Sequence, residues 1–296
     1  MNVLVTGGNG QLGSSLKKSS QNQKNNYIFT DVDELDITDI DKVREIVERF
    51  GIKVIINCAA YTDVEKAEDD VEQSLKINVH GVKNLADVMK EVDGTLIHIS
   101  TDYVFGSKYN TPIKEDYKKY GKSVYGITKT LGEQVIIDSG CKYIIIRTSW
   151  LYSEYGKNFV KTMMNLINTK SSINVVFDQV GTPTYAGDLS DFIVHIIELG
   201  IVSCDYGIYH YSNEGVCSWY DFTKMISKFM GNEKCVINPC FTSEFPSNVE
   251  RPTYSVLDKS KIKNKWEINI PFWVDSLEKC IKNIQNIKSI NDDNID

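Results

Sequence analysis

Residues 3–13 read Val3-Leu4-Val5-Thr6-Gly7-Gly8-Asn9-Gly10-Gln11-Leu12-Gly13. Val3–Thr6 is a short apolar run of the length expected for a buried strand, and a helix opens at Gln11. Between them glycines fall at 7, 10 and 13, with an additional one at 8. Glycine at such positions permits a tight turn and lets the backbone approach a pyrophosphate closely. The helix that follows offers free N–H groups and the positive end of its dipole. Gly7, Gly10, Gln11 and Leu12 are therefore expected to hold the phosphates of a dinucleotide. Glycines also mark ordinary loops, so the strand–turn–helix context carries the argument.

Outward from this turn the first half of the chain alternates. Apolar runs at Tyr27–Thr30, Val54–Asn57, Thr95–Ser100 and Tyr143–Arg147 are expected strands. Residues 40–50, 71–92 and 125–139 carry apolar residues at helical spacing. Strands alternating with helices predict an α/β fold with a Rossmann-like, doubly wound parallel sheet. Residues 1–150 are expected to form the dinucleotide-binding domain. Beyond them the pattern loosens. Helices are expected at Asn158–Asn168, Asp188–Leu199 and Trp219–Met230, a returning strand at Gly207–Tyr211, and loops at Asn213–Cys217 and Pro239–Pro252. Residues 151–296 thus read as a smaller substrate-binding lobe with some segments returning to the first sheet, ending in a polar tail from Lys288 expected to fray.

The net charge of −7 argues against a nucleic-acid binder, which needs clustered Lys and Arg. The N-terminus has no signal-peptide pattern, and no stretch of 18 apolar residues suggests a membrane span. Seven scattered cysteines without CxxC spacing read as reduced thiols of a cytoplasmic protein, with Cys58 and Cys141 in core packing. The four histidines form no metal motif and no GxSxG elbow occurs, so no metal ligands are assigned. His98 falls within a strand and reads as a core residue. The run Glu68-Asp69-Asp70 reads as a solvated helix start.

Asp31 follows the second strand, 18 residues after Gly13. A carboxylate there accepts hydrogen bonds from the adenosine ribose, or is simply a solvated strand-end acid. Its charge would repel a 2′-phosphate and favour NADH over NADPH. Asp36 and Ile37 are expected against the adenine. Ala59, Ala60, Tyr61 and Thr62 are expected where the cofactor crosses the strand ends, although small residues also serve helix–sheet packing.

Tyr125-Gly126-Ile127-Thr128-Lys129 is a YxxxK pattern, and a spacing of four puts both side chains on one helical face. A free phenol titrates near 10, and a neighbouring ammonium is expected to lower it. Tyr125 can then exchange a proton with a carbonyl or alcohol oxygen. YxxxK alone is common on surface helices. Here Ser100-Thr101-Asp102-Tyr103-Val104-Phe105 follows the fourth strand, where Thr101 can polarise a substrate carbonyl. Ser100 is the competing hydroxyl, which instead can bond the backbone.

Taken together, VTGGNGQLG at 5–13, LDITD at 35–39, NCAAYTDVEKAE at 57–68, ISTDYVF at 99–105, YGITKTLGE at 125–133, RTSWLY at 147–152, DQVGTPTY at 178–185 and RPTYSVLD at 251–258 resemble the dTDP-4-dehydrorhamnose reductase family of extended short-chain dehydrogenases. The resemblance implies reduction, by NADH or NADPH, of the 4-keto group of a dTDP-linked keto-deoxysugar to give dTDP-L-rhamnose. It implies that Tyr125 donates the proton, with Lys129 and Thr101 completing the catalytic set. It also implies sugar contacts from Thr101, Asp102, Val104, Phe105 and Tyr125, with Trp150 lining the pocket. Trp150 otherwise reads as a core residue between the lobes. Arg251 is the expected diphosphate ligand, or else a structural ion pair. A monomer or homodimer is expected. Some members use Mg²⁺ in dimer formation, but the sequence identifies no ligands for it. Another nucleotide-sugar reductase or epimerase of the same fold, and a non-catalytic regulatory subunit, are the competing readings.

Overall fold

The computed structural model describes residues 1–200, 206–245 and 247–293. Its first unit begins β1 (Asn2–Thr6), α1 (Gln11–Ser19), β2 (Asn26–Thr30), α2 (Ile40–Phe50) and β3 (Ile52–Asn57). Two short helices follow, α3 (Val64–Asp69) and α4 (Val71–Leu75), then α5 (Val82–Glu91), β4 (Thr95–Thr101), α6 (Val124–Ser139) and β5 (Lys142–Thr148). The second unit comprises β6 (Leu151–Tyr152), α7 (Phe159–Thr169), β7 (Ser172–Val176), β8 (Val180–Gly181), β9 (Thr184–Tyr185) and α8 (Ala186–Glu198). It continues through β10 (Gly207–His210), β11 (Cys217–Ser218), α9 (Trp219–Met230), β12 (Val236–Cys240), β13 (Tyr254–Ser255), α10 (Ser260–Trp266) and α11 (Trp273–Asp293).

Six parallel strands form the main sheet in the order β10-β5-β4-β3-β1-β2. The strands are mainly apolar because both faces of the sheet are covered. Val3, Val5, Val54, Ile56, Ile97, Ile144 and Ile146 face one core, with Leu12 and Leu16 of α1 and the apolar side of α8. The intervening Leu4, Ile55, Leu96 and Ile145 face the other, with Val43 and Val47 of α2, residues of α5, and Ile136 of α6. Successive side chains of a strand point to opposite faces, so one run of residues feeds two cores. Asp39 caps α2 by accepting from the Lys42 N–H, and Ser123 caps α6 through the Gly126 N–H.

Several expectations need correction. The helix expected over 71–92 is interrupted by a π-helical turn at Lys76–Gly81. A Cβ on Gly132 of α6 would lie 2.3 Å from the Asn78 carbonyl oxygen, so the widened turn and the glycine together let α6 press against it. Glu68 and Asp69 end α3, and Asp70 caps α4, so the acidic run spans a helix junction rather than one helix start. Part of the expected 239–252 loop is β12, paired with β7, followed by a turn of 3₁₀ helix at Thr242–Glu244. Cys217 opens β11 instead of ending a loop. The backbone of α11 runs on through Lys288 to Asp293, so the expected frayed tail is helical over that part. Residues 294–296 and Cys204 lie outside the described residues.

The second unit packs α7, α9 and α11 around a core rich in aromatic rings. Small sheets β11-β8-β13, β12-β7 and β6-β9 support it. No helix among the described residues is long and apolar enough to cross a membrane.

Candidate active site

A cleft of about 790 Å³ opens at the carboxyl ends of β1 to β5 and is also lined by Thr148, Ser149, Trp150, Leu151, Gly156 and Lys157. That volume suits a small-molecule or cofactor site. Gly7 turns with φ +65°, and a Cβ there would sit 2.7 Å from the Ala59 amide nitrogen. On Gly13 a Cβ would meet the Gly7 carbonyl oxygen at 2.3 Å. These two glycines close the turn against the backbone of the next strand end. The N-terminus of α1 receives no side-chain cap and has no acidic residue in its first turn. Its first N–H groups, those of Gln11 and Leu12 among them, are left for an anion. This arrangement fits the pyrophosphate of a dinucleotide.

Asp31 reaches back across the turn. One carboxylate oxygen accepts from the Asn9 N–H at 2.8 Å and the other from the Val32 N–H at 2.9 Å. Asp36 and Ile37 line the same end of the cleft, and Thr38 holds the Asp36 carboxylate through both its N–H and its hydroxyl. Ala59, Ala60 and Thr62 also line it. Tyr61 does not; its backbone N–H donates to Asn78 Oδ1 at 2.9 Å, which pins the strand end to the π-turn. Gln73, Lys76 and Lys157 border the cleft as well. The spacing of the sequence offers no sign of them, since they come from a helix junction and from the second unit.

Thr101, Asp102, Tyr125 and Lys129 converge on the floor of the cleft. Thr101 lies beside Tyr125 with its hydroxyl donating to Asp102 Oδ1 at 3.0 Å, and the Tyr103 ring stands edge-on to Tyr125 at 5.4 Å. Burial pushes the Tyr125 phenol well above its ordinary value, with Thr101 opposing. The expected lowering by Lys129 is not found in this arrangement. The ammonium of Lys129 is turned to the Ile99 carbonyl at 2.7 Å and to His98 Nε2 at 3.2 Å. Burial also lowers Lys129, to about 8, with Glu133 and Cys58 opposing. Asp102 accepts from Thr101 Oγ1 through one oxygen, while its other oxygen is buried with no partner among the described residues. Burial raises that carboxyl to about 7.

Ser100 does not compete with Thr101, nor does it bond the backbone. Its hydroxyl donates to Glu133 at 2.6 Å. Glu133 is fully buried and also takes two hydrogen bonds from Arg147 and an ion pair from Lys119. Arg147 and Lys119 hold its carboxyl down to about 2 despite burial.

Val104 and Phe105 are corrected from sugar contacts to core. Both are completely buried, and Phe105 lies under the Arg147 guanidinium at 4.9 Å and against the His210 ring. The 3₁₀ turn at Asp102–Val104 rotates them away from the cleft. Arg251 does not line the cleft either; it pairs with Glu65 at 3.0 Å. Trp150 does line it. Its backbone adopts φ +50°, and its ring stacks on Trp219 at 3.5 Å and 7°. Cys141 is buried in the core, whereas Cys58 borders the cleft, where burial pushes its thiol up to about 12. No cluster of three or more potential metal ligands exists among the described residues.

A sequence profile of the RmlD substrate binding domain matches residues 1–286. A dTDP-4-dehydrorhamnose reductase of Aggregatibacter actinomycetemcomitans is 39% identical over 96% of this chain and 98% of its own length. The crystal structure of a dTDP-4-dehydrorhamnose reductase from Clostridium acetobutylicum superposes with a TM-score of 0.91 at 40% identity, covering 96% of this chain and 100% of that one. The Bacillus anthracis dTDP-4-dehydrorhamnose reductase, solved in complex with NADP, gives a TM-score of 0.90 at 38% identity over 95% and 99% of the two chains. With the glycine turn, the strand-end Thr101 and the Tyr125–Lys129 pair gathered in one cleft, the chain belongs to the dTDP-4-dehydrorhamnose reductase family.

Proposed function

We infer that the chain is an NAD(P)H-dependent oxidoreductase that reduces the 4-keto group of dTDP-4-dehydro-6-deoxy-L-mannose to give dTDP-L-rhamnose. The observation that carries this reading is the convergence of Thr101, Tyr125 and Lys129 in the cleft that also holds the uncapped glycine turn. When bound, the reduced nicotinamide supplies the hydride. The residues of the chain do the rest. Tyr125 is held as a neutral phenol by burial, which suits a group that must donate a proton to the carbonyl oxygen as negative charge develops there. Thr101, whose hydroxyl donates to Asp102 with no substrate present, would turn that proton to the same oxygen. Asp102 offers an unpartnered buried oxygen to a sugar hydroxyl. Trp150 presents a flat ring face, backed by Trp219, to the pyranose.

Gly7, Gly10, Gln11 and Leu12 would hold the pyrophosphate, Asp31 the adenosine ribose, and Asp36, Ile37, Ala59, Ala60 and Thr62 the adenine side. Residues 1–150 would then form the dinucleotide-binding domain and most of 151–296 the substrate lobe. The net charge of −7 supports a small-molecule partner rather than nucleic acid, and the free thiols among the described cysteines support a cytoplasmic setting. Size-exclusion chromatography separates the monomer and homodimer alternatives. The decisive assay follows loss of reduced-nicotinamide absorbance with the dTDP-linked 4-keto-6-deoxy-L-sugar, NADH and NADPH taken separately. Oxidation with formation of dTDP-L-rhamnose is expected. A folded, dinucleotide-binding protein that oxidises neither cofactor overturns the reading.

A further inference from the structure

Beneath the catalytic pair runs a buried chain of side chains that the reaction above does not use. Asn57 Oδ1 accepts from the Ala59 backbone N–H at 3.1 Å and from Thr6 Oγ1 at 2.7 Å. A backbone N–H can only donate, so this fixes the amide of Asn57, and its Nδ2 must face the other way. It lies 3.0 Å from His98 Nδ1. Nδ1 therefore accepts, and a neutral His98 carries its hydrogen on Nε2. Nε2 is 3.2 Å from Lys129 Nζ. An ammonium at Lys129 thus meets a donor on His98, while a neutral amine accepts from it and still donates to the Ile99 carbonyl.

We propose that Ala59, Asn57 and His98 form a tautomer lock that aims a ring N–H at Lys129 and so readies the lysine to give up a proton. The idea rests on the reductase reading. When Tyr125 has delivered its proton to the substrate oxygen, the Lys129 ammonium, turned to Ile99 and His98 rather than to the phenol, releases a proton that solvent in the cleft relays to the phenolate. The amine left behind is held by the His98 N–H, and solvent returns its proton. His98 is a positioning residue in this scheme. Burial and Lys129 both keep its ring neutral, as the lock requires. The other titratable groups interacting with Lys129 are Glu133 on its own helix and the Cys58 thiol after β3. Of these Glu133 is already engaged by Arg147, Lys119 and Ser100.

A second buried histidine supplies an internal contrast. His210 Nδ1 is 3.1 Å from the Ile113 carbonyl and its Nε2 is 3.4 Å from Arg147 Nη1, so it must carry its hydrogen on Nδ1. Nitrogen-15 NMR of the histidine-labelled whole chain, without ligands, reads this directly. His80 and His195 are exposed. The two buried rings should stay neutral near pH 7 in opposite tautomers, His98 as Nε2–H and His210 as Nδ1–H, with a His98→Gln variant used for assignment. His98 found as Nδ1–H or as imidazolium overturns the proposal. Asn57→Asp, an isosteric change, replaces the amide donor by an acceptor and should flip His98. Nε2 then accepts from the ammonium, and the basic limb of the kcat–pH profile should move up by about one unit, a tenfold change in the lysine equilibrium. A flipped tautomer with an unmoved limb also overturns it. The spectrum needs no substrate, so an expected spectrum without turnover counts against the reductase reading alone.

Discussion

The main sheet, with β10 returning to it, is ordered by a backbone ladder; most of the chain after Thr148 is packed by rings. In the main sheet, Val3 and Val5 face one core and Leu4 the other, and each neighbouring strand repeats the alternation. In the second unit the strands are mostly two residues long, and the packing rests on Trp150 stacked on Trp219, Phe159 stacked on Phe222, and Phe222 edge-on to Trp273. The two regions meet at the cleft. The first contributes groups with fixed positions at strand ends and on one helix face. The second contributes a wall whose shape depends on side chains packing correctly over long sequence distances. On the proposed function, the chemistry would sit on the strand ends and helix face of the first and substrate recognition on the side chains of the second.

Four substitutions test this division, beginning with the largest expected effect. Tyr125→Phe should lower kcat about 1,000-fold, within the range for loss of a general acid, while the dinucleotide dissociation constant changes less than about threefold. Both are checked by steady-state kinetics and by titration of nicotinamide fluorescence. A fully active variant would remove the chemistry from the sheet side. Glu133→Ala should cost about 3 kcal/mol of unfolding free energy in urea, because it strands the buried Arg147. The folded carboxyl titrates near 2, below its unfolded value of about 4.3. Its contribution is therefore complete above the unfolded value and is lost as pH falls toward the folded one. Acid unfolding of the variant should accordingly be less steep over that interval.

Trp219→Ala removes the backing of Trp150 and should cost about 2 kcal/mol, somewhat less than a fully buried Trp→Ala. It should raise KM for the sugar nucleotide and leave dinucleotide affinity alone. An equal loss of both would mean the two regions are not separable in function. Asp31→Ala should shift the preference between NADH and NADPH by about tenfold toward NADPH, about 1.4 kcal/mol, read from the two dissociation constants. An unchanged ratio would show that the Asn9 N–H, not a ribose, is the whole purpose of that carboxylate.

How far the sequence could be read follows the same boundary. The strands of the main sheet were legible because each is a short apolar run fed to two cores, and α2 matches its expected span of residues 40–50. The ends of β12 and the existence of β7 were not, because a two-stranded pair resting on an aromatic cluster has no periodicity of its own. The π-turn at 76–81 was hidden for a related reason, since the residue that packs against it, Gly132, stands more than 50 residues away. At the site, order and spacing pointed to Tyr125, Lys129 and the strand-end hydroxyls Ser100 and Thr101, and the fold brings Thr101, Tyr125 and Lys129 into one cleft while Ser100 bonds Glu133. Val104 and Phe105 were misassigned because a three-residue turn of 3₁₀ helix decides which side chains follow Asp102 into the cleft.

What the sequence determined by itself is the glycine turn, the alternation of strands and helices that makes a parallel sheet, and the placing of Tyr125 and Lys129 on one helical face, because each is local or repeats along a regular element. Only the tertiary structure decided that Ser100 belongs to Glu133, that Arg251 belongs to Glu65, and that His98 belongs to Lys129. Those partners lie 31 to 186 residues apart. Buried polar groups must find hydrogen bonds wherever the fold brings a partner within reach, and no sequence spacing announces which partner that will be.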